Sequence, residues 1–309
     1  MVLDELPLVK GLVVTIKANY SIVEIDLNQS QPFSHNGLVG LNNLRFLCTL
    51  RKRLTHRGFS VRVGDRVVLE SIDMNAFTAV ISNLEPRESL LSRPPVANVT
   101  EVFVVLSVKS PSFDFDQASR FLLTAEKSGL SVYLILTKTD LINAEDLDNV
   151  IKRLTNWGYT PIAVSVKNGQ GMELLTRKLK RSQLAVLCGP SGAGKSSILN
   201  HLLPNESISI GDLSGKLQRG RHTTRNVELY ALDKGSFIAD TPGFNRPDLK
   251  VRPVKLQTLF PELQDQVLNC SCRFRDCLHT DEPGCGVDTN WERYRQYRKL
   301  LGEMISLYP

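Results

Sequence analysis

The residues with the clearest chemical meaning form a glycine-rich run that ends in Lys195 and Ser196. The run fits the pattern G-x-x-x-x-G-K-[ST], in which backbone N–H groups turn inward around phosphate groups, the lysine reaches the β- and γ-phosphates and the hydroxyl ligates Mg²⁺. The apolar segment Leu184–Cys188 predicts the strand that must precede such a loop, and Gly194–Leu203 predicts the helix that must come after it. The predicted nucleotide contacts are Gly189, Pro190, Ser191, Gly192, Ala193, Gly194, Lys195, Ser196 and Ser197.

A second motif indicates guanine as the base. The run Thr137-Lys138-Thr139-Asp140 follows the apolar segment Val132–Leu136 and resembles the guanine-specificity pattern [N/T]-K-x-D. The Asp140 carboxylate can accept two N–H donors that guanine presents and adenine lacks, and the stem of Lys138 can lie over the base. By itself the tetrapeptide fits an exposed surface loop equally well. Thr137, Lys138 and Asp140 are therefore predicted base-side contacts.

Three weaker motifs supply the remaining parts of a GTP site. Asp240-Thr-Pro-Gly243 comes after the predicted strand Ser236–Ala239, so that the Asp240 carboxylate can hold a water on Mg²⁺ and the Gly243 N–H can meet the γ-phosphate. The polar run Gly220-Arg-His-Thr223-Thr224 offers a threonine to Mg²⁺ and the γ-phosphate. Ser165-Val-Lys167 ends another predicted strand and can support the base. Each motif is weak alone, but all five fall at strand ends of one α/β pattern.

The order of these motifs is a finding in itself. In most GTPases the phosphate loop comes first, whereas here the base motif at 137–140 and the serine motif at 165–167 precede the phosphate loop at 189–196. The order predicts a circularly permuted GTPase domain. In such a domain the γ-phosphate sensor at 240–243 lies at the C-terminal boundary, so that the next segment of the chain is attached directly to the sensor.

A cluster of cysteines around His279 occupies that next segment. Four of the six cysteines lie between 270 and 285, and no secretion signal precedes the chain's first predicted strand, so that metal ligation is favoured over disulfides. Three cysteines and one histidine form a usual closed tetrahedral zinc set. A short segment with little apolar content needs such a metal to fold. The spacing leaves Cys270 and Cys272 as alternatives for the first ligand.

The hydrophobic pattern predicts the elements that position these residues. Five short β-like runs before residue 92 fit a barrel of the OB type, which commonly binds single-stranded or looped nucleic acid. Basic residues between 51 and 66 fit a phosphate-facing surface. The proline-containing segment 85–95 predicts a linker, and apolar strands alternating with helices from 97 to 240 predict a mostly parallel sheet. Beyond 250 we expect the cysteine-rich region and a polar helix over 291–307.

Composition places the chain in a class. It has 309 residues, of which 42% are hydrophobic and 23% charged, with a net charge of +6, and this is typical of a soluble globular protein. No apolar run is long enough to span a membrane. We therefore predict a multidomain α/β protein: an N-terminal OB-fold β-barrel (1–92), a circularly permuted P-loop GTPase domain (93–250) and a C-terminal zinc-binding helical segment (251–309).

The chain resembles the ribosome small-subunit-dependent GTPase A family, circularly permuted GTPases that act late in bacterial small-subunit assembly. The resemblance covers nearly the whole sequence and is carried by the motifs above together with Val63–Val67, Arg93–Asn98 and Phe274–His279. It implies a cytoplasmic, monomeric GTP hydrolase that uses Mg²⁺, binds GTP, GDP, the small ribosomal subunit and its rRNA, and does not bind membranes. It also implies one structural zinc ion on Cys272, Cys277, His279 and Cys285.

The sequence departs from the family pattern at two places. Thr137 stands where asparagine is commoner, so that a side-chain amide able to bridge guanine and the phosphate loop is missing, and we expect weaker nucleotide binding. Thr223-Thr224-Arg225 replaces a run of three threonines, which leaves either threonine as the Mg²⁺ ligand, with Thr224 preferred.

The predicted catalytic residues are Lys195, Ser196, His222 and Thr224. His222 is the candidate for orienting the attacking water because Phe244, at the position where many GTPases carry glutamine, cannot hydrogen-bond to water. An exposed loop histidine or an RNA contact is the alternative for His222. Two other functions remain open: a nucleotide kinase of the guanylate kinase type, which shares the Gly-Pro-Ser-Gly spelling, and an RNA-binding assembly factor that senses nucleotide with little catalysis.

Overall fold

The N-terminal strands close into a barrel in the structure, a computed structural model that describes residues 9–25, 44–56, 58–92, 95–203, 227–240, 247 and 249–308. The pairing order is β1-β2-β3-β5-β4, and β4 pairs again with β1, which closes the five strands. The predicted five-stranded barrel is confirmed. Its strands are β1 (Val9–Ile16), β2 (Ser21–Ile25), β3 (Leu44–Leu50), β4 (Arg66–Asp73) and β5 (Thr78–Leu84), with the short helix α1 (Lys52–His56) after β3.

Side chains alternate along the strands, and those that point inward fill the barrel. In β3, for example, Phe46 and Cys48 point inward and are buried, whereas Arg45, Leu47 and Thr49 are exposed or nearly so. Burial raises the pKa of the Cys48 thiol to about 12, so that this cysteine acts as a small apolar residue. The barrel core consists of Val9, Val13, Val23, Ile25, Phe46, Cys48, Val67, Leu69, Ala79 and Ile81.

The Val63–Val67 run makes a tight turn before β4. Gly64 has φ +87°, and a Cβ there would lie 2.1 Å from the Ala97 carbonyl oxygen, so that only glycine fits. Asp65 is buried; it accepts two hydrogen bonds from Arg87, at 2.7 and 2.9 Å, and one from the Arg62 N–H at 2.7 Å. The turn thus holds the segment that comes after the barrel.

The segment 85–95 is more ordered than the linker that its prolines predict. β6 (Leu90–Ser92) and β7 (Pro95–Ala97) pair antiparallel, and Leu91 and Val96 are buried. Pro95 is tolerated because it begins its strand, where the missing N–H removes little from a two-stranded ribbon. The segment therefore contains a two-stranded ribbon, and its role as a linker between domains stays a prediction.

The described residues fall into two compact units. The first contains those within 1–100, 179–186 and 209–243, and the second those within 101–178, 187–208 and 244–309. In the first unit, β12 (Glu228–Asp233) and β13 (Ser236–Asp240) form an antiparallel hairpin, and the β12 residue Glu228 pairs with Thr15 of β1. The first half of β11 (Leu184–Cys188) runs parallel to β13 with Val186 opposite Ala239.

The second unit contains three parallel strands joined by helices, as the alternating pattern predicts. β8 is apolar over nearly its whole length because both of its faces are buried. Side-chain oxygens of Asp114 and Asn143 accept hydrogen bonds from the first turns of α2 and α3 and so fix where these helices begin. The elements are β8 (Glu101–Ser107), α2 (Phe115–Glu126), β9 (Ser131–Thr137), α3 (Ala144–Asn156), β10 (Ile162–Ala163), α4 (Met172–Arg181) and α5 (Lys195–Leu202).

The C-terminal residues fold onto the same unit. The predicted final helix is present as α8 (Tyr294–Leu307), but the pattern does not reveal α6 (Pro253–Leu256) and α7 (Pro261–Asn269), which are too short to show a helical period. In the part of the chain that is described, no helix is long and apolar enough to cross a bilayer. The shared core comprises Leu123 of α2 with Leu249, Leu256, Leu259, Phe260, Leu263, Val287, Tyr297, Leu300, Leu301 and Met304.

A buried cation joins the C-terminal helices to the rest of this unit. The Arg293 side chain is 2% exposed and forms a two-point ion pair with Glu262 of α7, with its Nε 2.5 Å from Oε1. It also donates to Ser119 of α2 at 3.2 Å, and its guanidinium lies 4.6 Å from the ring centre of Trp157 and 4.8 Å from that of Phe260. One side chain therefore contacts α2, the end of α3 and α7 at once.

Glu262→Gln should destabilise the protein by about 3 kcal/mol, because it leaves a buried guanidinium without its counter-charge. Urea unfolding followed by circular dichroism measures this as a lower midpoint at unchanged slope. Asp148→Asn, which breaks an exposed ion pair with Lys152, is the control and should leave the midpoint unchanged. A Glu262→Gln midpoint equal to that of Asp148→Asn would show that the pair does not hold the C-terminal helices.

Candidate nucleotide-binding site and metal centre

The phosphate loop leaves the end of β11 in the backbone shape that phosphate binding needs. Gly189 has φ +143°, and a Cβ there would lie 2.0 Å from the Val105 carbonyl oxygen, so that glycine is required. Gly194 is left-handed and begins α5 at Lys195. Ser196 and Ser197 are exposed in the first turn of α5. Because N–H groups in the first turn of a helix lack acceptors within that helix, such a turn is suited to binding an anion.

The Lys195 ammonium rests on the loop itself. Its Nζ donates to the carbonyl oxygens of Gly189 at 2.7 Å and Pro190 at 2.8 Å. These contacts hold the cation inside the turn, where an incoming phosphate can take it up with a small movement of the side chain. Burial keeps the pKa of the preceding Cys188 thiol far above its ordinary value, so that this residue packs under the loop and does not react.

The structure brings the base motif to the phosphate loop through Thr137. The buried Thr137 hydroxyl donates to the Ala193 carbonyl oxygen at 2.6 Å. The connection between the base side and the phosphate loop, which we expect to be lost without asparagine, is thus made by the threonine hydroxyl. The physical reason is distance: β9 ends so close to the loop that the short side chain is long enough.

The acidic residue of the base motif is oriented by the serine motif. Asp140 is exposed in a 3₁₀ turn over Thr139–Leu141, and its Oδ1 accepts a hydrogen bond from the buried Ser165 hydroxyl at 2.6 Å. One carboxylate oxygen is held and the group faces solvent, where a ligand can enter. Ser165 lies just beyond β10, so the adjacent strands β9 and β10 present these two side chains together.

A loop that the sequence analysis missed also borders this site. Residues 108–114 come after β8, and the Lys138 ammonium donates to the carbonyl oxygen of Ser110. A Cβ at Gly192 would lie 3.5 Å from the Pro111 ring. The loop therefore bonds to the base motif and lies beside the phosphate loop. No chemical motif marks it, and its position after a neighbouring parallel strand is the one signal that points to it.

The switch residues are only partly described by the structure. His222, Thr223, Thr224 and Gly243 lie outside the described residues, as does the side chain of Asp240. The Asp240 backbone ends β13, one residue beyond the pair that Ala239 forms with Val186. The predicted roles of these residues remain predictions from the sequence.

The predicted metal ligands converge on one point. One ligand atom from each of the four residues lies within 4.8 Å of the others, and the His279 Nδ1 is 3.6 Å from the Cys272 Sγ and 3.5 Å from the Cys285 Sγ. A tetrahedral zinc ion would separate nitrogen and sulfur ligands by about 3.5 Å. The residues present therefore fit a metal ion of this kind. The group is Cys272, Cys277, His279 and Cys285, with Cys270 beside it and outside the set.

A hydrogen bond to Gln257 fixes the orientation of the His279 ring. Its Nε2 lies 2.5 Å from the Gln257 Oε1, which accepts from an N–H there and leaves Nδ1 unprotonated toward the sulfurs. Burial lowers the pKa of His279, and this favours the neutral imidazole that a metal requires. The Glu282 carboxylate accepts from the Leu278 N–H at 2.9 Å and the Thr280 N–H at 2.6 Å, and so shapes the ligand loop.

Two tyrosines one turn apart on α8 hold the same loop. Tyr297 donates to the Leu278 carbonyl oxygen at 2.7 Å and Tyr294 to that of His279 at 3.2 Å. The metal loop is therefore tied directly to the helix that begins after Arg293. Neither tyrosine belongs to a recognisable motif, so that the sequence alone does not reveal their role.

Comparisons with known proteins agree with this geometry. A family model described as RsgA GTPase matches residues 84–250. A Prochlorococcus marinus (strain MIT 9303) protein named small ribosomal subunit biogenesis GTPase RsgA is 55% identical over 308 residues, which is 99% of this chain and 96% of that protein. A Synechococcus (strain CC9605) protein of the same name is 55% identical over 297 residues, covering 96% of this chain and 94% of that protein.

Solved structures extend the similarity to the fold. The crystal structure of YjeQ from Thermotoga maritima superposes with a TM-score of 0.76 at 30% identity, covering 96% of this chain and 99% of that one. The structure described as YloQ, a circularly permuted GTPase, gives a TM-score of 0.76 at 26% identity, covering 98% and 96%. The permuted motif order is thus accompanied by the fold of a permuted GTPase.

Cys272→Ser and Cys277→Ser should each remove bound metal and loosen the C-terminal segment, because each deletes one of four converging ligands. Cys270→Ser is the matched control and should retain one metal ion per chain. Metal analysis of protein purified without chelator, followed by limited proteolysis, provides both measurements. Loss of metal from Cys270→Ser with retention in Cys272→Ser would reverse the assignment of the first ligand.

Proposed function

Since the chain belongs to the RsgA GTPase family, we propose that it hydrolyses GTP to GDP and phosphate during late maturation of the small ribosomal subunit. The observation that carries this proposal is the bond from Thr137 to Ala193. It joins a guanine-type specificity loop to a phosphate loop in one site. A nucleotide kinase of the guanylate kinase type would leave Asp140, its Ser165 partner and the metal cluster without a role.

The chemistry rests on charge placed around the transferred phosphoryl group. Lys195, already inside the loop, would move from the carbonyl oxygens of Gly189 and Pro190 to the β- and γ-phosphates. When bound, Mg²⁺ would supply positive charge against the negative charge that develops on the phosphate oxygens. Ser196 is proposed as its ligand, with Asp240 and Thr224, or Thr223 in its place, proposed from the sequence to complete the shell.

The attacking water needs a positioning group that the residue after Gly243 does not provide. Phe244 has no hydrogen-bonding side chain, and we assign the task to His222. A GTPase without a fixed water-positioning side chain should hydrolyse GTP slowly on its own. Binding to the small subunit would then accelerate hydrolysis by placing His222 beside the water.

The metal centre is proposed as a structural zinc site. Cysteine and histidine ligands in a tetrahedral arrangement suit Zn²⁺, and four protein ligands leave no position for substrate. The ion would hold the segment 272–285 in one conformation against α8. Its contribution is to folding and to the shape of the surface and not to the phosphoryl transfer.

Two surfaces are proposed to contact rRNA. On the barrel, Phe59 and Phe77 are half-exposed, and Lys52, seven residues before Phe59, is an exposed cation. Arg51 and Arg66 of the predicted basic cluster instead pair with Glu70 and Glu88. Aromatic faces beside cations are typical of surfaces that stack unpaired bases.

The second surface is the Arg273-Phe274-Arg275 run of the metal segment. Phe274 is 50% exposed and the Arg273 guanidinium lies 5.5 Å from its ring centre. This arrangement suits a base stacked on the ring with phosphates near the arginines. We propose that the protein works as a cytoplasmic monomer that binds the small subunit through such contacts and has no membrane partner.

Single-turnover hydrolysis of GTP tests the proposed activity. We expect slow release of phosphate by the free protein and faster release with small ribosomal subunits. Ser196→Ala and Lys195→Ala should abolish both rates with the fold retained, because these side chains face the ligand. Asn200→Ala, an exposed change on the same helix, is the control and should hydrolyse GTP normally. Phosphate release by Ser196→Ala at the wild-type rate would refute the assignment, and no release by the wild type with subunits would indicate a nucleotide sensor without catalysis.

Asp140→Asn should weaken GTP binding by about 100-fold and shift preference to xanthosine triphosphate, because an amide can donate where the xanthine ring carries an oxygen. Binding of both nucleotides measured by calorimetry gives the ratio. Asp148→Asn, on the exposed face of α3, should leave that ratio unchanged. Unaltered GTP affinity in Asp140→Asn would place guanine elsewhere.

A further inference from the structure

We propose that Thr137 positions the phosphate loop and donates nothing to the nucleotide base, so that the site binds guanine without reading the N7 atom through this residue. The proposal rests on the proposed GTP-binding function and concerns how that function selects its base. It assigns guanine recognition to Asp140 and gives Thr137 a role on the phosphate side.

Thr137 is buried beside two carbonyl oxygens of the protein. Its side chain is 2% exposed at the end of β9. Its Oγ1 lies 2.6 Å from the Ala193 carbonyl oxygen and 3.3 Å from the Leu106 carbonyl oxygen. Both neighbours are acceptors, and the shorter contact is to the phosphate loop. The hydroxyl is therefore committed as a donor to Ala193.

A committed hydroxyl has no donor left for a ligand. Threonine carries one O–H proton, whereas an asparagine amide carries two N–H protons and can bond to the phosphate loop and to the base together. The N7 and O6 atoms of guanine are both acceptors. Because its O–H donates to the Ala193 carbonyl oxygen, Thr137 can offer these atoms only a lone pair. N7 and O6 are acceptors themselves and cannot bond to a lone pair.

The same bond fixes the loop where it turns into α5. The carbonyl of Ala193 directly precedes Gly194, and a Cβ at Gly194 would lie 3.4 Å from the Thr137 Oγ1 and 3.6 Å from its methyl group. Thr137 thus holds this turn by its hydrogen bond to Ala193 and lies beside Gly194. The side chain influences the phosphates by positioning the loop. It makes no hydrogen bond to the base.

Asp140 remains as the side chain that reads guanine. Its carboxylate is exposed to solvent and oriented by the Ser165 hydroxyl at 2.6 Å. A carboxylate is an acceptor, so it recognises the N–H groups on the Watson–Crick edge of guanine, on the side of the base away from N7. Replacing N7 should therefore not change the affinity of this site for the nucleotide.

The direct test uses the wild-type protein with GTP and 7-deaza-GTP, in which a carbon atom replaces N7. We expect the two dissociation constants to agree within twofold. A preference of fivefold or more for GTP that Thr137→Val abolishes would overturn the claim that Thr137 does not read N7. If neither nucleotide binds, the proposed function fails, and this outcome is distinct from a preference between them.

Three substitutions test the positioning role. Thr137→Val keeps the shape and loses the hydroxyl, and it should weaken the binding of GTP and 7-deaza-GTP by the same factor of about ten. Thr137→Ser keeps the hydroxyl and should bind both within threefold of the wild type. Thr137→Asn should create a preference for GTP over 7-deaza-GTP. The rescue by serine separates a role of the hydroxyl from loss of packing.

Thermal unfolding of each variant without nucleotide controls for damage to the fold. Wild-type affinity in a folded Thr137→Val protein would overturn the positioning role. If Thr137→Asn does not fold, the comparison of GTP with 7-deaza-GTP on the wild type still decides whether N7 is read.

Discussion

The Arg293 guanidinium is the interaction on which the arrangement of the C-terminal half depends. It is buried with Glu262 and bonded to Ser119. Separating α7 and α8 from α2 would therefore break this bond and expose both the ion pair and the apolar core to water. Four residues later, Tyr297 bonds to the metal loop. The strands that present the base motif and the segment that carries the metal cluster are consequently parts of one packed unit.

This packing gives the permuted order of motifs a physical meaning. The permutation places the C-terminal segment that carries the metal cluster after the predicted γ-phosphate sensor at 240–243 in the chain. That segment is in turn packed against α2, which begins directly after the loop at 108–114 that bonds to Lys138 and lies beside Gly192. A change at the nucleotide therefore has one covalent route to the C-terminal segment, along the chain, and one route through noncovalent contacts. A protein that must report its nucleotide state to a large partner benefits from such an arrangement.

The sequence predicted those features that depend on local chemistry. Backbone conformation requires Gly189 and Gly194, metal chemistry requires the cysteine set, and the barrel strands require alternating apolar residues. Each of these requirements produces a pattern that can be recognised in a short stretch of sequence. Arg293, Gln257 and Tyr297 leave none, since an arginine, a glutamine or a tyrosine is ordinary on a surface and becomes informative only when folding buries it. The hydroxyl bond of Thr137 is a similar case. The sequence shows that an amide is missing, whereas the distance from β9 to the phosphate loop decides whether a shorter side chain can replace it.

The central claim is that nucleotide state and small-subunit binding are coupled through this unit. The direct measurement is the dissociation constant for small ribosomal subunits in the presence of GDP and of a non-hydrolysable GTP analogue. The account predicts binding at least about fivefold tighter with the analogue, which is the lower end of usual coupling between sites. Equal constants in the two states, with GTP hydrolysis unchanged by subunits, would contradict it.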